Sequence, residues 1–324
     1  MSERLTIDQI DQSRPIAEWK SLVADRGRRR HMSYTSDFDT RAYVFEEPGE
    51  GWDEEPRRLH LENRERVRAG LAREFGEHCL DSKIADFVAI GSKPFSVVRY
   101  HNSFFDQVRR SFVVGAYYPA LLGASALGER ILNHLILDLR DDFRHTPEYR
   151  AVAGKGSFAD WSRAIGTLEA WGVLLPRAVD EFRALMSLRH RSIHFNASTY
   201  ATLRDDALAA VLHVREIIDQ QFTAFGLRPW FIDGTRGLIF IKKEWEENPF
   251  IRAFYLPSCP FVGPNVAISF KNGLSFYDTP DYGDGEWSDV EFAETYETRS
   301  PKDVTRTPED EEADRLEAGD QRAP

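Results

Sequence analysis

The chain has 324 residues, of which 42% are hydrophobic and 29% charged, as is typical of a folded protein with an ample core. Its two cysteines, Cys79 and Cys259, exclude a disulfide-rich scaffold and fit a reducing cytoplasm. Almost all of the net charge of −11 comes from residues 281–324, which hold 15 acidic and 5 basic side chains. The rest is nearly neutral, which excludes a broad basic surface and restricts any nucleic-acid contact to local clusters.

The first part of the chain, residues 1–103, is predicted to be an N-terminal region of unknown role. Apolar residues recur on one face of Arg57–Glu77, which predicts a helix. Phe95–Tyr100 has the pattern of a short strand. The basic run Arg26–His31 could bind phosphate, but we expect an exposed turn.

The next part, residues 104–225, has helical periodicity and predicts an antiparallel bundle of four or five helices. The first helix covers Ser111–Leu139, with a possible break near Pro119, and its apolar run is too short and interrupted to span a membrane. Pro176 is in a favoured first-turn position and opens a helix that ends near Asn196. The remaining predicted helices are Phe158–Val173 and Leu203–Phe222.

Apolar residues recur at every second position in parts of residues 226–298, which predicts a small antiparallel β unit. Asp233-Gly234 and Asn272-Gly273 each separate two apolar runs, and such pairs favour the turns of β-hairpins. The surrounding aromatic residues are expected to form its core. Residues 299–324 are expected to be a disordered acidic tail, which completes an α+β fold.

The stretch Leu188–His194 carries the clearest chemical signal, because it places Arg189, His190 and His194 near the end of a predicted helix. Arg189 lies on the core-facing side, where an unpaired charge is costly, and Glu129 of the long upstream helix is the candidate partner. His190 and His194 are one turn apart, so a metal site is an alternative, although no third ligand is nearby.

This stretch resembles the Arg-x4-6-His signature of HEPN domains, an all-helical family of many toxin and defence ribonucleases. The polar residue after Arg189, the following helix and the upstream helix with Glu129 also match, and the resemblance covers about residues 104–224. A second pairing, Arg183 with His190, fits the same spacing, but only Arg189 is followed directly by a polar residue.

The resemblance implies RNA cleavage without a metal or cofactor, giving 2′,3′-cyclic phosphate and 5′-hydroxyl ends. His194 would be the general base or acid, Arg189 would bind the scissile phosphate, His190 would assist and Glu129 would hold Arg189. Arg183 and Arg191 are the nearest candidates for further RNA contacts.

The implied partners are RNA, a second copy of the chain paired through the helical domain, and an antitoxin or defence-system protein, with no membrane. The family also contains members that do not cleave, so a module that binds RNA or a partner protein is the alternative function. A purely structural Arg189–Glu129 pair is the third possibility.

Overall fold

The computed structural model describes residues 25–158, 160–193, 199–271 and 273–310. The described residues are mostly helical with small antiparallel sheets, in keeping with the predicted α+β class. Their contacts divide them into two compact units, one of residues 35–223 and one of residues 25–34 with 224–310. Residues 25–34, expected to belong to a separate N-terminal region, therefore group with the β unit in this division.

The unit of residues 35–223 is helical. Its helices are α1 (Glu54–Phe75), α2 (Leu80–Ala89), α3 (Arg99–Val113), α4 (Tyr117–Leu139), α5 (Tyr149–Val152), α6 (Trp161–Ala170), α7 (Pro176–Ile193) and α8 (Thr199–Phe222). α4 packs against α3, α6, α7 and α8, which explains why its apolar residues extend round most of the helix. Leu121, Ile131 and Leu135 of α4 are fully buried in this core. The structure confirms the predicted helix that begins at Pro176, which is α7, and the predicted helices before and after it, which are α6 and α8.

The prediction of one helix over Ser111–Leu139 is wrong, because this range contains the end of α3 and the whole of α4, with a turn between them. Gly115 has a φ of 80°, a left-handed conformation that glycine adopts without steric cost and that ends a helix. Pro119 lies in the first turn of α4, where its missing N–H does not interrupt the helix. The proline therefore follows the break and does not cause it.

The predicted strand at Phe95–Tyr100 is also wrong. Only Ser96 forms an isolated bridge, with Thr223, and helix α3 begins at Arg99. Val97 and Val98 are each 7% exposed, so these β-branched residues fill the helical core. Tertiary burial overrides their local preference for a strand.

The other unit contains two antiparallel sheets. In the first, β1 (Arg30–Ser33) lies between β2 (Ile239–Phe240) and β3 (Phe261–Val262), with Met32 opposite Phe240 and His31 opposite Phe261. In the second, β4 (Ala267–Ser269) pairs with β5 (Ser275–Tyr277). The helices are α9 (Pro249–Phe254) and α10 (Asp289–Thr298).

The second predicted hairpin is present as β4 and β5, whereas the first is reduced to an isolated bridge, because β2 pairs with β1. The Phe231–Ile241 bridge and the 2.8 Å hydrogen bond from Ile232 N to Phe240 O flank the first turn, where Gly234 has a φ of 87°. Gly273 lies in the second turn with a φ of 101°, whereas Asn272 is outside the described residues. The aromatic residues expected in the core are largely buried, with Trp230 2% and Phe240 0% exposed.

The basic run Arg26–His31 is not the exposed turn that was predicted. Arg29 is 4% exposed and forms an ion pair with Asp278. Arg30 is fully buried in β1, where its Nε donates to Asp289 Oδ1 at 2.7 Å and its Nη2 donates to Trp287 O at 2.6 Å. Acidic and carbonyl groups far along the chain thus neutralise this run, which makes it part of the fold.

Residues 299–310 of the predicted tail make hydrogen bonds with the β unit. Thr305 N donates to Asn265 O at 2.8 Å, and Ser269 Oγ donates to Glu309. Residues 311–324 are outside the described residues. Throughout the described ranges, each helix is too short or too polar to cross a membrane.

Candidate functional site

Helices α4 and α7 approach closely at Gly128, next to the predicted site. A Cβ atom at Gly128 would lie 2.7 Å from both Leu185 Cδ2 and Trp161 Cη2, so only glycine fits without movement of its neighbours. This contact brings α4, α6 and α7 together and places Glu129 beside Arg189.

Arg189 and Glu129 form the predicted ion pair, with 3.1 Å between Arg189 Nη2 and Glu129 Oε2. The same carboxylate oxygen accepts a 3.2 Å hydrogen bond from Trp161 Nε1, and the guanidinium carbon of Arg189 lies 5.6 Å from the Trp161 ring centroid. The side chains of Arg189 and Glu129 are 28% and 34% exposed. The pair is therefore fixed in position and still reachable from solvent, unlike the sealed pair that a purely structural role would favour.

His190 is exposed near the end of α7, and its Nδ1 lies 2.8 Å from Met186 O. Because a carbonyl oxygen only accepts, Nδ1 carries the proton of this contact, and in the neutral imidazole Nε2 is then the acceptor. His194, the predicted general base, is outside the described residues, so its position relative to Arg189 and the alternative metal pairing with His190 both stay predictions. Among the described residues, His, Cys, Asp and Glu side chains form no cluster of three or more that could hold a metal ion.

The two arginines predicted to contact RNA are directed to different neighbouring helices. Arg183 Nη2 donates to Glu169 of α6 at 2.6 Å, and Arg191 Nη2 donates to Asp206 of α8 at 2.7 Å. Arg189 instead pairs with Glu129 of α4. The three arginines therefore pair with carboxylates of three different helices, and Arg183 and Arg191 remain 52% and 57% exposed.

Glu129 also lines a cavity of about 570 Å³. Besides Glu129, it is lined by polar, aromatic and loop residues, namely Tyr100, Arg130, Asn133, His134, Leu137, Gly156 and Ser157. Sequence reasoning missed this cavity because Tyr100 was assigned to a strand. The signal that could have found it is the i, i+4 spacing of His134 and Asp138, which places both side chains on one helix face.

Two of the lining residues, Tyr100 and His134, belong to a hydrogen-bonded chain of three side chains that ends at Asp138. The hydroxyl of Tyr100 hydrogen-bonds to His134 Nδ1, and His134 Nε2 lies 2.8 Å from Asp138 Oδ2. Beside them, burial and, to a lesser extent, the positive charge of Arg130 lower the pKa of His101 to about 3. His101 is therefore neutral near pH 7 and adds no charge next to His134.

Asn133 fixes the loop at the cavity edge. Its Nδ2 donates to Glu129 O at 2.8 Å and to Phe158 O at 3.1 Å, while its Oδ1 accepts from Phe158 N at 2.6 Å. All three contacts are to the backbone, so Asn133 holds the loop that carries Gly156 and Ser157 against α4.

No protein-family model, curated protein or solved structure matches this chain.

Proposed function

We propose that the helical unit of residues 35–223 is a metal-independent endoribonuclease of the HEPN type that acts in the cytoplasm. The observation that carries this proposal is the setting of Arg189. Glu129 and Trp161 hold its guanidinium near the end of α7, five positions before His194, yet 28% of the side chain is exposed. A fixed and accessible guanidinium is suited to bind a phosphodiester, because its planar donors match two phosphate oxygens.

In the proposed reaction, His194 removes the proton from a ribose 2′-hydroxyl and returns a proton to the 5′-oxygen that leaves. Arg189 binds the scissile phosphate and stabilises the additional negative charge of the transition state. The exposed Nε2 of His190 assists in proton transfer. The 2′-oxygen–phosphorus bond forms as the bond to the 5′-oxygen breaks, which yields a 2′,3′-cyclic phosphate and a 5′-hydroxyl.

The resemblance to HEPN domains adds a second copy of the chain to the proposal. The arginine and histidine of both copies would line one cleft, which would bring cations from two chains to the same phosphodiester. Arg183 and Arg191 would then contact RNA at the edges of this cleft. The biological context borrowed from the family is toxin–antitoxin, stress or phage-defence biology, with a cognate protein as a further partner.

A module of the same type that binds RNA or a protein without cleavage is the second candidate. The observation that favours it is the set of ion pairs formed by Arg183, Arg189 and Arg191, because each of these arginines already has a carboxylate partner. In a binding module such pairs would exchange with phosphates, and no proton transfer would follow.

Incubation of the purified chain with RNA in EDTA separates the two candidates. A ribonuclease produces fragments with 2′,3′-cyclic phosphate ends, and His194→Ala lowers the rate by about 10²- to 10⁴-fold, as loss of a general acid–base does. His78→Ala, which changes an exposed histidine of the same unit, is the matched control and leaves the rate unchanged. RNA binding without fragments supports the second candidate, and unchanged cleavage by His194→Ala contradicts the proposed mechanism.

A further inference from the structure

The chain Tyr100–His134–Asp138 has the arrangement of an activated nucleophile. Asp138 only accepts hydrogen bonds when ionised, so His134 Nε2 carries the proton of their 2.8 Å contact. In the neutral imidazole, His134 Nδ1 is then an acceptor and receives the hydroxyl hydrogen of Tyr100. A nucleophile, a base in hydrogen-bond contact and a third group that orients the base are the three parts of such a site.

Packing of two helices holds the three groups in place. Tyr100 is in the first turn of α3, whereas His134 and Asp138 are one turn apart on α4, and these helices pack along their lengths. The buried ring of His101 supports them, with ring centroids 4.4 Å from Tyr100 and 5.6 Å from His134. Tyr100 and His134 both line the cavity, so a bound molecule can reach the hydroxyl.

Glu129 and Arg130 both line the cavity, and Glu129 is paired with Arg189 at 3.1 Å, so Arg130 is the charge that indicates the class of molecule that would bind. Arg130 is exposed, lines the cavity and lies over the Phe104 ring at 4.6 Å. Within the described ranges no carboxylate forms an ion pair with Arg130, in contrast to Arg183, Arg189 and Arg191. A guanidinium without a carboxylate partner, in a cavity that Ser157 also lines, favours a phosphate group.

We propose that this cavity is a second reactive site, in which Tyr100 attacks a phosphate ester held by Arg130, with His134 as base and Asp138 as its positioning residue. The bond between Tyr100 Oη and phosphorus forms, and the bond from phosphorus to the alcohol oxygen breaks. The phenolic proton passes to His134 Nδ1 and then to the alcohol that leaves, so no other reactant is needed. This inference is independent of the proposed RNA cleavage, which uses Arg189 and His194.

Two measurements on the full chain test it. The first is the rate at which benzenesulfonyl fluoride labels each tyrosine, measured by peptide mass spectrometry, because this reagent detects an activated hydroxyl without knowledge of the substrate. Tyr100 is expected to react at least about tenfold faster than Tyr118, which is 51% exposed. His134→Gln lowers the labelling of Tyr100 by about 10²-fold, Asp138→Asn lowers it less, and the control His145→Gln does not change it.

The second measurement uses 4-nitrophenyl phosphate and bis(4-nitrophenyl) phosphate, which distinguish a monoester from a diester ligand. The proposal predicts release of one nitrophenolate per chain with one of them and a phosphoryl adduct on Tyr100. Arg130→Ala abolishes the adduct but leaves sulfonyl labelling intact, whereas Arg66→Ala on α1 affects neither. Circular dichroism confirms that each variant is folded. Equal labelling of Tyr100 and Tyr118, labelling of Tyr100 that folded His134→Gln leaves unchanged, or no adduct with either ester overturns the inference.

Discussion

The most informative prediction about stability concerns the Arg189–Glu129 pair, because the coupling energy between the two side chains distinguishes a functional arginine from a structural one. We consider Arg189→Met, Glu129→Gln and the double variant. Glutamine keeps the shape of Glu129 and an oxygen that can accept from Trp161 Nε1. The double-mutant cycle formed by these three variants and the original chain therefore isolates the charge interaction. The side chains are 28% and 34% exposed and 3.1 Å apart, which places the pair between surface and buried pairs.

The expected coupling energy follows from this partial exposure. Surface pairs contribute about 0.2–1 kcal/mol, whereas removal of one partner from a buried pair costs about 3–5 kcal/mol. Water reaches both groups, so we expect a coupling of about 1 kcal/mol. The free energies come from urea unfolding of the four proteins, followed by circular dichroism.

A matched cycle on Arg144 and Asp141 provides the reference, because this pair has a similar 3.0 Å separation but is 65% and 64% exposed. Its coupling should be smaller than that of Arg189 and Glu129, because solvent screens fully exposed charges. A coupling above about 3 kcal/mol for Arg189 and Glu129 would show that the pair is a buried structural element. A coupling of zero would show that Glu129 does not hold Arg189, and either result would refute our reasoning about this site.

Three further predictions concern the fold around the site and the β unit. Gly128→Ala should destabilise the chain by about 1–3 kcal/mol, because its Cβ would be 2.7 Å from Leu185 and Trp161. The control Gly166→Ala, with open space around it, should stabilise the chain by about 0.5–1 kcal/mol. Equal shifts of the two melting temperatures would contradict the close approach of the helices. Arg30→Met should lower the free energy of unfolding by about 3 kcal/mol, because Asp289 loses its ion pair and the Trp287 carbonyl loses a donor. Arg236→Met, at a 93% exposed side chain, should change the free energy of unfolding by no more than about 0.5 kcal/mol. Burial lowers the pKa of His101 from 6.5 to about 3, so the unfolded chain binds a proton that the folded chain does not, and stability is present above pH 6.5 and is lost as the pH falls toward 3. Denaturation curves should therefore show a pH slope in this range that is smaller in His101→Leu by about 1.4 kcal/mol per pH unit, and an identical slope in both proteins would be inconsistent with a buried neutral His101.

Elements with a strong local signal could be predicted from the sequence. The first-turn proline of α7, the periodicity of α1 and α8, and the Asn-Gly and Asp-Gly turns all act over a few residues. The pairing of Arg189 with Glu129 could also be predicted, because each is a charge on an apolar helix face.

Features that depend on distant residues could not be predicted. Arg29 and Arg30 become buried because Asp278 and Asp289, about 250 residues away, return to neutralise them. Val97 and Val98 look like a strand until the helices around them provide an apolar core. Tyr100 meets His134 only because the chain turns at Gly115 and brings α3 back along α4.

The rate of RNA cleavage by Arg189→Lys in EDTA tests the central claim most directly. Lysine retains the charge and can still pair with Glu129, but it lacks the planar fork that binds two phosphate oxygens. If Arg189 binds the scissile phosphate, this variant unfolds at the same urea concentration as the original chain and cleaves about 10²- to 10³-fold more slowly. Cleavage at an unchanged rate would contradict the account.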